Sequence, residues 1–292
     1  MGGKKVTWLL IVVLIATVWA GCRLIAERRT QEVEEGSCLE EEVDEGLIGK
    51  EQMPGTEGVF EKEVLLQYLG HSSFLLQVDE FSILMDPYSP DVGYGSLRLG
   101  ADVVTTSHEH MDHNYVSAAP GAKVLKGLTS DGLGWEDVSY SAGDVTITNL
   151  PTYHDGSSGK LRGRNSAFIF DIPNLRLVHL GDLGHSLSES DLEKLLPVNI
   201  LLIPIGGHYT IDAQRAKEII EQVKPNVVIP MHYQSKATRN WPLAGLDEFT
   251  KGLENVKEVG SKPLSLKAEE LPESTEIWVM EPNPDVSEKK ER

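Results

Sequence analysis

Three histidines and one aspartate lie within six consecutive positions, from His108 to His113, directly after the mostly apolar run at residues 101–104. Imidazole nitrogens and carboxylate oxygens are the usual protein ligands of zinc and similar divalent cations. On extended or tightly turning backbone, His108 and His110 point their rings to one side, and Asp112 and His113 face a second position close by. This loop can therefore supply half of a site for two metal ions. The alternative, a solvated acidic surface loop, rarely holds so many metal-ligand residue types.

Three further candidate ligands, His154, Asp182 and His232, each follow an apolar segment with the composition of a β-strand. Strand ends are rigid platforms, and ligand sites in α/β sheets gather at the rim that they share. We therefore expect these side chains to meet the loop of His108 at one edge of a sheet. Taken singly, His154 and His232 could be ordinary loop histidines, and Asp182 could be a helix cap.

The pattern of the globular part changes along its length. Its first half has short strand-like runs, such as residues 64–69 and 81–85, separated by turn residues. From about residue 175 strands alternate with helices: residues 188–191 resemble a capping box, and a second helix is predicted from Asp212. The apolar face of that second helix consists of Ala213, Ala216, Ile220 and Val223. Such β-α-β alternation places helices over a sheet, which predicts an α/β fold.

The N-terminal segment has the pattern of a membrane signal. Lys4 and Lys5 precede an uncharged apolar run at residues 6–21, which ends at Cys22. The end of the run resembles a bacterial lipoprotein box, in which the cysteine is lipidated after cleavage. Alternatively, the segment is an uncleaved anchor with Arg23 snorkelling at the interface. Both interpretations tether the protein to a membrane, and the lipobox-like end favours the extracytoplasmic face. A buried core helix is less favoured, because an acidic segment with a disordered composition follows.

These patterns divide the chain into four parts. We predict a signal, lipoprotein or membrane-anchor segment at residues 1–29, an acidic flexible linker at 30–62, one globular domain at 63–281 and a polar tail at 282–292. The linker is predicted to be flexible because it is acidic and low in aromatic residues, and so lacks the side chains to form a core.

Charge and cysteine content exclude some classes of function. The formal net charge is −18 and the chain has no basic stripe, so nucleic acid is not an expected partner. The two cysteines, Cys22 and Cys38, lie far from the histidine cluster in sequence and have no Cys-x-x-Cys pattern. This excludes a disulfide framework and disfavours a metal site built on thiolates.

Six short motifs occur along the chain: Gly70-His-Ser-Ser-Phe74, Met85-Asp-Pro87, His108-x-His-x-Asp-His113, Leu180-Gly-Asp-Leu-Gly-His185, Gly206-Gly-His-Tyr-Thr210 and Pro230-Met-His-Tyr233. As an ordered set they resemble the metallo-β-lactamase fold hydrolases. The branch that they resemble includes ascorbate-6-phosphate lactonase and N-acyl phosphatidylethanolamine phospholipase D. The resemblance covers about residues 64–279. It implies a four-layer αββα sandwich with metal ions at one edge of two sheets, in agreement with the β-rich first half and the alternating second half.

The resemblance also implies a ligand set and a reaction. His108, His110 and His154 would hold a first divalent metal ion, Asp112, His113 and His232 would hold a second, and Asp182 would bridge them. Zinc is the expected metal, with manganese or iron as alternatives, because these nitrogen and oxygen donors accept all three. A hydroxide shared by the two ions would attack an ester, lactone, amide or phosphodiester. Asp112 would be the catalytic residue that holds or accepts the proton.

Four more residues are candidates for contacts with the ligands or the substrate: His71, Asp86, His185 and His208. His71 would orient a ligand or substrate, or it is simply a turn residue. Asp86 is expected to bond the loop backbone near the ligands. At the position of His208 the resembling sequences often have an aromatic residue. His179 lies within a predicted strand and is interpreted as a core histidine whose hydrogen bonds are satisfied.

Two other functions stay open from the sequence alone. Related folds host di-iron redox centres, but these place a carboxylate where this chain has His110 and pair with a flavin domain that this chain has no length for. A non-catalytic metal-binding module is the second alternative, although structural zinc sites are closed and this ligand set is open. The expected partner is a small-molecule or lipid substrate, the lipid because of the predicted tether. The sequence does not predict the oligomeric state.

Overall fold

The computed structural model describes residues 62–283. The predicted membrane segment at residues 1–29, the predicted linker up to residue 61 and the tail from residue 284 lie outside the described residues, so these assignments stay predictions. Within the described range, no helix has both the length and the apolar composition needed to cross a bilayer.

The first half of the domain forms a six-stranded mixed sheet. In sheet order its strands are β13 (Leu264–Ser265), β1 (Val64–Gly70), β2 (Ser73–Val78), β3 (Phe81–Met85), β4 (Val103–Thr106) and β5 (Lys123–Lys126). Strands β1, β2 and β3 form an antiparallel meander joined by two-residue connections. Strands β4 and β5 then run parallel to β3, so their connections pass over the outer face of the sheet.

The second half forms an eight-stranded mixed sheet. In sheet order its strands are β12 (Val256–Gly260), β14 (Glu276–Met280), β11 (Val227–Met231), β10 (Ile200–Pro204), β9 (Leu175–His179), β8 (Arg164–Ile172), β7 (Val145–Tyr153) and β6 (Ser139–Ala142). Neighbouring strands from β6 to β9 are antiparallel, and those from β9 to β12 in the sheet are parallel. Helices α1 (Glu189–Leu195), α2 (Ala213–Val223) and α3 (Leu246–Thr250) connect the parallel strands.

The two sheets pack face to face around one apolar core. Leu66 and Phe74 of the first sheet belong to the same buried cluster as Phe170 and Ile229 of the second. A second buried cluster joins the other face of the second sheet to the helices, with Ile219 of α2 among its members. Burial of apolar surface on both faces of the second sheet explains why its central strands are continuous hydrophobic runs.

The outer face of the first sheet is covered by short 3₁₀ turns and loops. Leu84 and Val104 on this face belong to one buried cluster with Tyr88 and Leu97, which lie in the connection between β3 and β4. The 3₁₀ turns at Pro90–Val92 and Val116–Ala118 flank this region. The predicted four-layer αββα sandwich is confirmed, with the difference that one of its outer layers holds no regular α-helix within residues 62–283.

Both helices predicted in the second half are present. The side chain of Ser188 accepts from the backbone of Asp191, and Asp191 reciprocates, so α1 begins with a true capping box. The side chain of Asp212 caps α2. The buried residues of α2 are Ala213, Ala216, Ile219 and Val223. The predicted Ile220 is only partly buried, because it lies about 100° around the helix from Ile219, which faces the sheet more directly.

Candidate metal centre

The strands bring the predicted ligands to one edge of the sandwich. His71 directly follows β1, the loop at residues 108–113 follows β4, His154 directly follows β7 and His232 directly follows β11. Asp182 lies three positions after the end of β9. Because ladder hydrogen bonds fix the strand ends, these side chains project from rigid supports. All seven predicted ligands meet there, as their mutual distances show.

Asp182 lies at the centre of the cluster. Its Oδ1 is 3.2 Å from Nε2 of His113. Its Oδ2 is 3.1 Å from Nε2 of His232, 3.2 Å from Nε2 of His154 and 3.9 Å from Nε2 of His108. One carboxylate therefore faces histidines assigned from the sequence to both metal ions, which is the arrangement expected of a bridging ligand.

The donor atoms fall into overlapping groups, within each of which they all lie within 4.8 Å of one another. The first group consists of His108, His110 and His154. The second consists of His71, Asp112, His113 and His232. The third consists of His108, His113 and Asp182 and so connects the other two. The expected division of the ligands into two sets of three, joined by Asp182, agrees with this geometry. His71 is an additional member of the second group.

Several donor atoms are buried without a hydrogen-bond partner. Nε2 of His113, Nε2 of His232 and Oδ1 of Asp182 are of this kind. Unpaired buried polar atoms are costly in a folded protein. Two ligands of a tetrahedral zinc ion lie about 3.3 Å apart when each bond is about 2.0 Å long, close to the distances of His113 and His232 from Asp182. The donors therefore fit a divalent metal ion.

Hydrogen bonds behind the cluster fix the orientation of two ligand rings. The buried Asp86 accepts from the backbone N–H of Ser107 at 2.7 Å and lies 2.8 Å from Nδ1 of His113. Nδ1 of His154 lies 3.1 Å from the carbonyl oxygen of Tyr209. When Nδ1 donates in these contacts, Nε2 is the nitrogen that turns to the cluster. This agrees with the expectation that Asp86 bonds the loop backbone near the ligands.

His71 is fully buried and contacts the second group. Its Nε2 lies 3.0 Å from Oδ2 of Asp112, and its ring centroid lies 4.2 Å from that of His232. Burial lowers the pKa of His71 to about 4, so the ring is neutral near pH 7 and donates its Nε2–H to the carboxylate. His71 therefore lies where it orients Asp112, one of the two roles considered from the sequence.

The charges of the cluster favour a bound cation. Burial alone would raise the pKa values of Asp182 and Asp112, but the neighbouring histidines outweigh it. His113 and His232 hold the pKa of Asp182 well below its usual value. His113 and His71 do the same for the pKa of Asp112. Burial alone would lower the pKa of His113, but the carboxylates of Asp182 and Asp112 raise it well above its usual value. A proton on His113 thus balances part of the negative charge, and a metal ion would replace that proton.

Two glycines allow the ligand loops to approach closely. A Cβ at position Gly206 would lie 2.1 Å from the carbonyl oxygen of His232. A Cβ at position Gly184 would lie 2.3 Å from the nitrogen of Asp155 and 2.4 Å from the carbonyl carbon of His154. Real Cβ atoms do not approach other atoms closer than 3.0 Å, so neither position accepts a side chain without movement of a ligand-bearing backbone.

Four non-glycine residues around the site have left-handed backbone conformations: His71 (φ 56°), Asp86 (φ 42°), His208 (φ 45°) and His232 (φ 51°). This conformation costs roughly 1 kcal/mol or more for such residues. His71, Asp86 and His232 each directly follow the last residue of a strand. The sharp change of chain direction at these points leaves their side chains at the rim, and conformational strain of this kind is concentrated at functional sites.

The weaker histidine candidates lie apart from the ligand cluster. His185 and His208 line a neighbouring polar cavity of about 480 Å³. Nε2 of His185 accepts from the backbone N–H of Tyr153 at 3.0 Å, and His208 is exposed. A contact of either with substrate stays a prediction. The buried His179 lies 2.8 Å from the carbonyl oxygen of Ser72, which agrees with a satisfied core histidine.

A cavity of about 590 Å³ opens over the cluster, with Asp112 and Asp182 in its wall. The residues that line it and that the sequence did not predict include Met111, Leu161, Arg162, Tyr209 and Trp241. They come from separate loops, and only Met111 and Tyr209 lie within a motif. Nothing in their local sequence indicates that they face a common space.

Comparison with known proteins places these features in a family. The family model described as the beta-lactamase superfamily domain matches residues 65–232. A UPF0173 metal-dependent hydrolase from Carboxydothermus hydrogenoformans is 30% identical over 203 residues, which are 62% of this chain and 88% of the relative. One from Thermococcus onnurineus is 28% identical over 220 residues, covering 67% of this chain and 95% of the relative.

Solved structures show the same architecture. A proposed zinc-dependent hydrolase of the metallo-beta-lactamase superfamily from Thermotoga maritima matches with a TM-score of 0.57 and 30% identity, covering 74% of this chain and 98% of the other. Igni18, a metallo hydrolase from Ignicoccus hospitalis, matches with a TM-score of 0.53 and 23% identity, covering 70% and 99%. At that identity the second match supports the fold alone.

Proposed function

Because the chain belongs to the beta-lactamase superfamily of metal-dependent hydrolases, we propose that it uses two divalent metal ions to hydrolyse an ester, lactone, amide or phosphodiester. The observation that carries this proposal is the buried carboxylate of Asp182. It faces histidine nitrogens on both sides, and its Oδ1 has no hydrogen-bond partner. A small-molecule or lipid substrate would enter through the cavity over the cluster.

In this proposal the seven ligands are divided between two metal ions, in agreement with the groups of neighbouring donor atoms described above. His108, His110 and His154 hold one ion, Asp112, His113 and His232 hold the other, and Asp182 lies between them. Zinc is the proposed metal, since nitrogen and carboxylate donors suit it and the Thermotoga maritima relative is proposed to depend on it. Manganese and iron are the alternatives that metal analysis would distinguish.

The bound ions would lower the pKa of water and polarise the oxygen of the scissile group. The residues of the chain supply position and proton transfer. Asp112 lines the cavity and is ionised, so it is placed to accept the proton of the attacking water and to pass it to the leaving group. His71 holds this carboxylate in position through its 3.0 Å contact. Tyr209 and Trp241 form part of the wall of this cavity.

The substitution Asp182→Asn tests the proposal with almost no change in shape. The amide cannot bridge two cations, so we expect the variant to retain fewer than two metal ions per chain and to lose hydrolysis of a panel of esters, lactones, amides and phosphodiesters. The control is Asp137→Asn, which removes the same charge from an exposed residue that does not line the cavity. Two metal ions per chain and full activity in Asp182→Asn would contradict the proposal.

We also propose, from the sequence, that residues 1–29 attach the protein to a membrane at the extracytoplasmic face, where lipidation of Cys22 or an uncleaved helix would hold it. Fractionation of cells that express the full chain tests this. With lipidation, Cys22→Ser moves the protein to the soluble fraction and Cys38→Ser does not. With an uncleaved helix, both variants stay in the membrane. A wild-type chain that is soluble without detergent would contradict attachment.

A further inference from the structure

One cationic side chain lies in the wall of the cavity over the metal cluster. Among the described residues that line this cavity, Arg162 is the single lysine or arginine. The guanidinium of Arg162 lies 5.7 Å from the ring centroid of Tyr209, a cation–π distance. The backbone carbonyl of the same Tyr209 contacts the ring of His154. Arg162 is thus connected through one residue to a proposed metal ligand.

The charge of Arg162 is not neutralised by a carboxylate within residues 62–283. No ion pair of its guanidinium is present there, whereas Glu109, one of the acidic residues that line the cavity, pairs with Lys126 at 3.0 Å. The other two acids of the cavity, Asp112 and Asp182, contact histidines of the cluster. Because guanidinium groups bind planar oxyanions in a bidentate manner, a free one in a partly enclosed cavity is suited to a negatively charged ligand.

The backbone that carries Arg162 is held firmly. Asp155 is buried and accepts four backbone N–H groups, those of Ser157, Gly159, Leu161 and Arg162, at 2.7–3.0 Å. This network closes residues 155–162 into a compact loop directly after His154. The backbone of Arg162 is therefore held in place next to the cluster, so its side chain is preorganised to orient a ligand.

Apolar side chains lie beside this charge. Leu161 is 72% exposed and Met111 is 47% exposed, and both line the cavity with Trp241. Exposed large hydrophobic residues are few in the described part of the chain, and these two adjoin Arg162 and the ligand Asp112 respectively. The mouth of the cavity thus combines one positive charge with an apolar surface.

We infer that Arg162 determines substrate specificity by binding an oxyanion, a carboxylate or a phosphate, on a substrate whose apolar part rests on Met111, Leu161 and Trp241. This inference depends on the proposed function, because it concerns the substrate of the same site. It narrows the substrate class to anionic amphiphiles with a hydrolysable bond.

Two matched pairs of esters test the inference with the zinc-loaded full chain. Mono-p-nitrophenyl glutarate and p-nitrophenyl butyrate differ by a carboxylate on the acyl side. The anion 4-acetoxybenzoate and its methyl ester differ by one on the leaving-group side. We expect Arg162→Gln to lower kcat/KM for the anionic member of at least one pair by about 10- to 100-fold, the range for a lost charged hydrogen bond, and to leave its neutral partner unchanged. Arg162→Lys should have an intermediate effect, since the charge remains and the bidentate fork is lost.

Lys160→Gln is the matched control. It removes a positive charge two positions away, from an exposed side chain that does not line the cavity, and should change neither member of a pair. Melting temperatures of all variants show whether they fold. An equal effect of Arg162→Gln on charged and neutral esters, or none on either, would overturn the inference. Metal-dependent turnover of the neutral esters in that case would leave the proposed function intact.

Calorimetric binding of hexanoate, hexylphosphonate and hexanol to the same zinc-loaded variants gives a readout that does not require turnover. Comparison of the two anions distinguishes a carboxylate from a phosphate ligand. Weaker binding of one anion to Arg162→Gln than to the wild type, with hexanol binding unchanged, supports the inference even if no ester is hydrolysed. Equal anion binding by the wild type and Arg162→Gln contradicts it.

Discussion

The substitution Gly206→Ala tests whether the ligand His232 depends on a close backbone contact. The new Cβ would lie 2.1 Å from the carbonyl oxygen of His232, and real Cβ contacts are not shorter than 3.0 Å. The two segments must therefore separate by about 1 Å, and an error of about 1 Å in a catalytic group can lower the rate by about 100-fold. The backbone N–H of His232 is also bonded to the carbonyl of His71 at 2.9 Å, so the strain reaches both residues.

We expect Gly206→Ala to bind the metal ion of the second group more weakly, to lose about 100-fold in kcat and to lose about 1–3 kcal/mol in the free energy of unfolding. Elemental analysis after dialysis, ester hydrolysis and urea unfolding measure the three effects. Gly100→Ala is the control, because a Cβ at position 100 meets no atom within 4 Å and the backbone there is not left-handed. If Gly206→Ala kept two metal ions and the wild-type rate, the close contact would not position His232.

Three other predictions concern stability and charge. Asp155→Asn should lower the free energy of unfolding by about 2–4 kcal/mol in urea titrations, because an amide can accept only part of the four loop N–H bonds, whereas the exposed Asp137→Asn should have little effect. Metal binding should release protons and weaken as the pH falls, because the raised pKa of His113 means that a proton must leave this ring before the ion binds. Calorimetry in buffers of different ionisation enthalpy measures the proton release. Metal binding without proton release would contradict the protonated state assigned to His113. Chelation should lower the melting temperature, with a loss of about 2.7 kcal/mol per site expected when free metal had been present at 100 times its dissociation constant.

The placement of the ligands could be predicted from the sequence because the information is local. His154 and His232 each follow an apolar strand directly, and the structure places both at the rim that the strand ends share. The ordered motifs added the resemblance, which the family match confirms. The assignment of each residue to a particular metal ion stays a prediction, although the donor groups agree with it.

The cavity wall could not be predicted in this way. Arg162 and Trp241 lie about eighty positions apart in loops, and their meeting depends on how both sheets pack rather than on any local pattern. Edge strands were also missed. In β5 only Leu125 is buried and in β12 no residue is fully buried, so neither shows the alternation that identifies a strand. The thin outer layer of the first sheet leaves no helical periodicity to detect.

At the rim residues that have a left-handed backbone conformation, a substitution that increases thermal stability can remove a side chain that activity needs. Asparagine or glycine adopts that backbone region more comfortably than histidine does, so His71 and His232 are positions where a variant can relax the chain while it loses a functional group. A laboratory evolution campaign that rewards thermal endurance alone would therefore tend to discard these two histidines. Retaining a turnover screen in every round would preserve them.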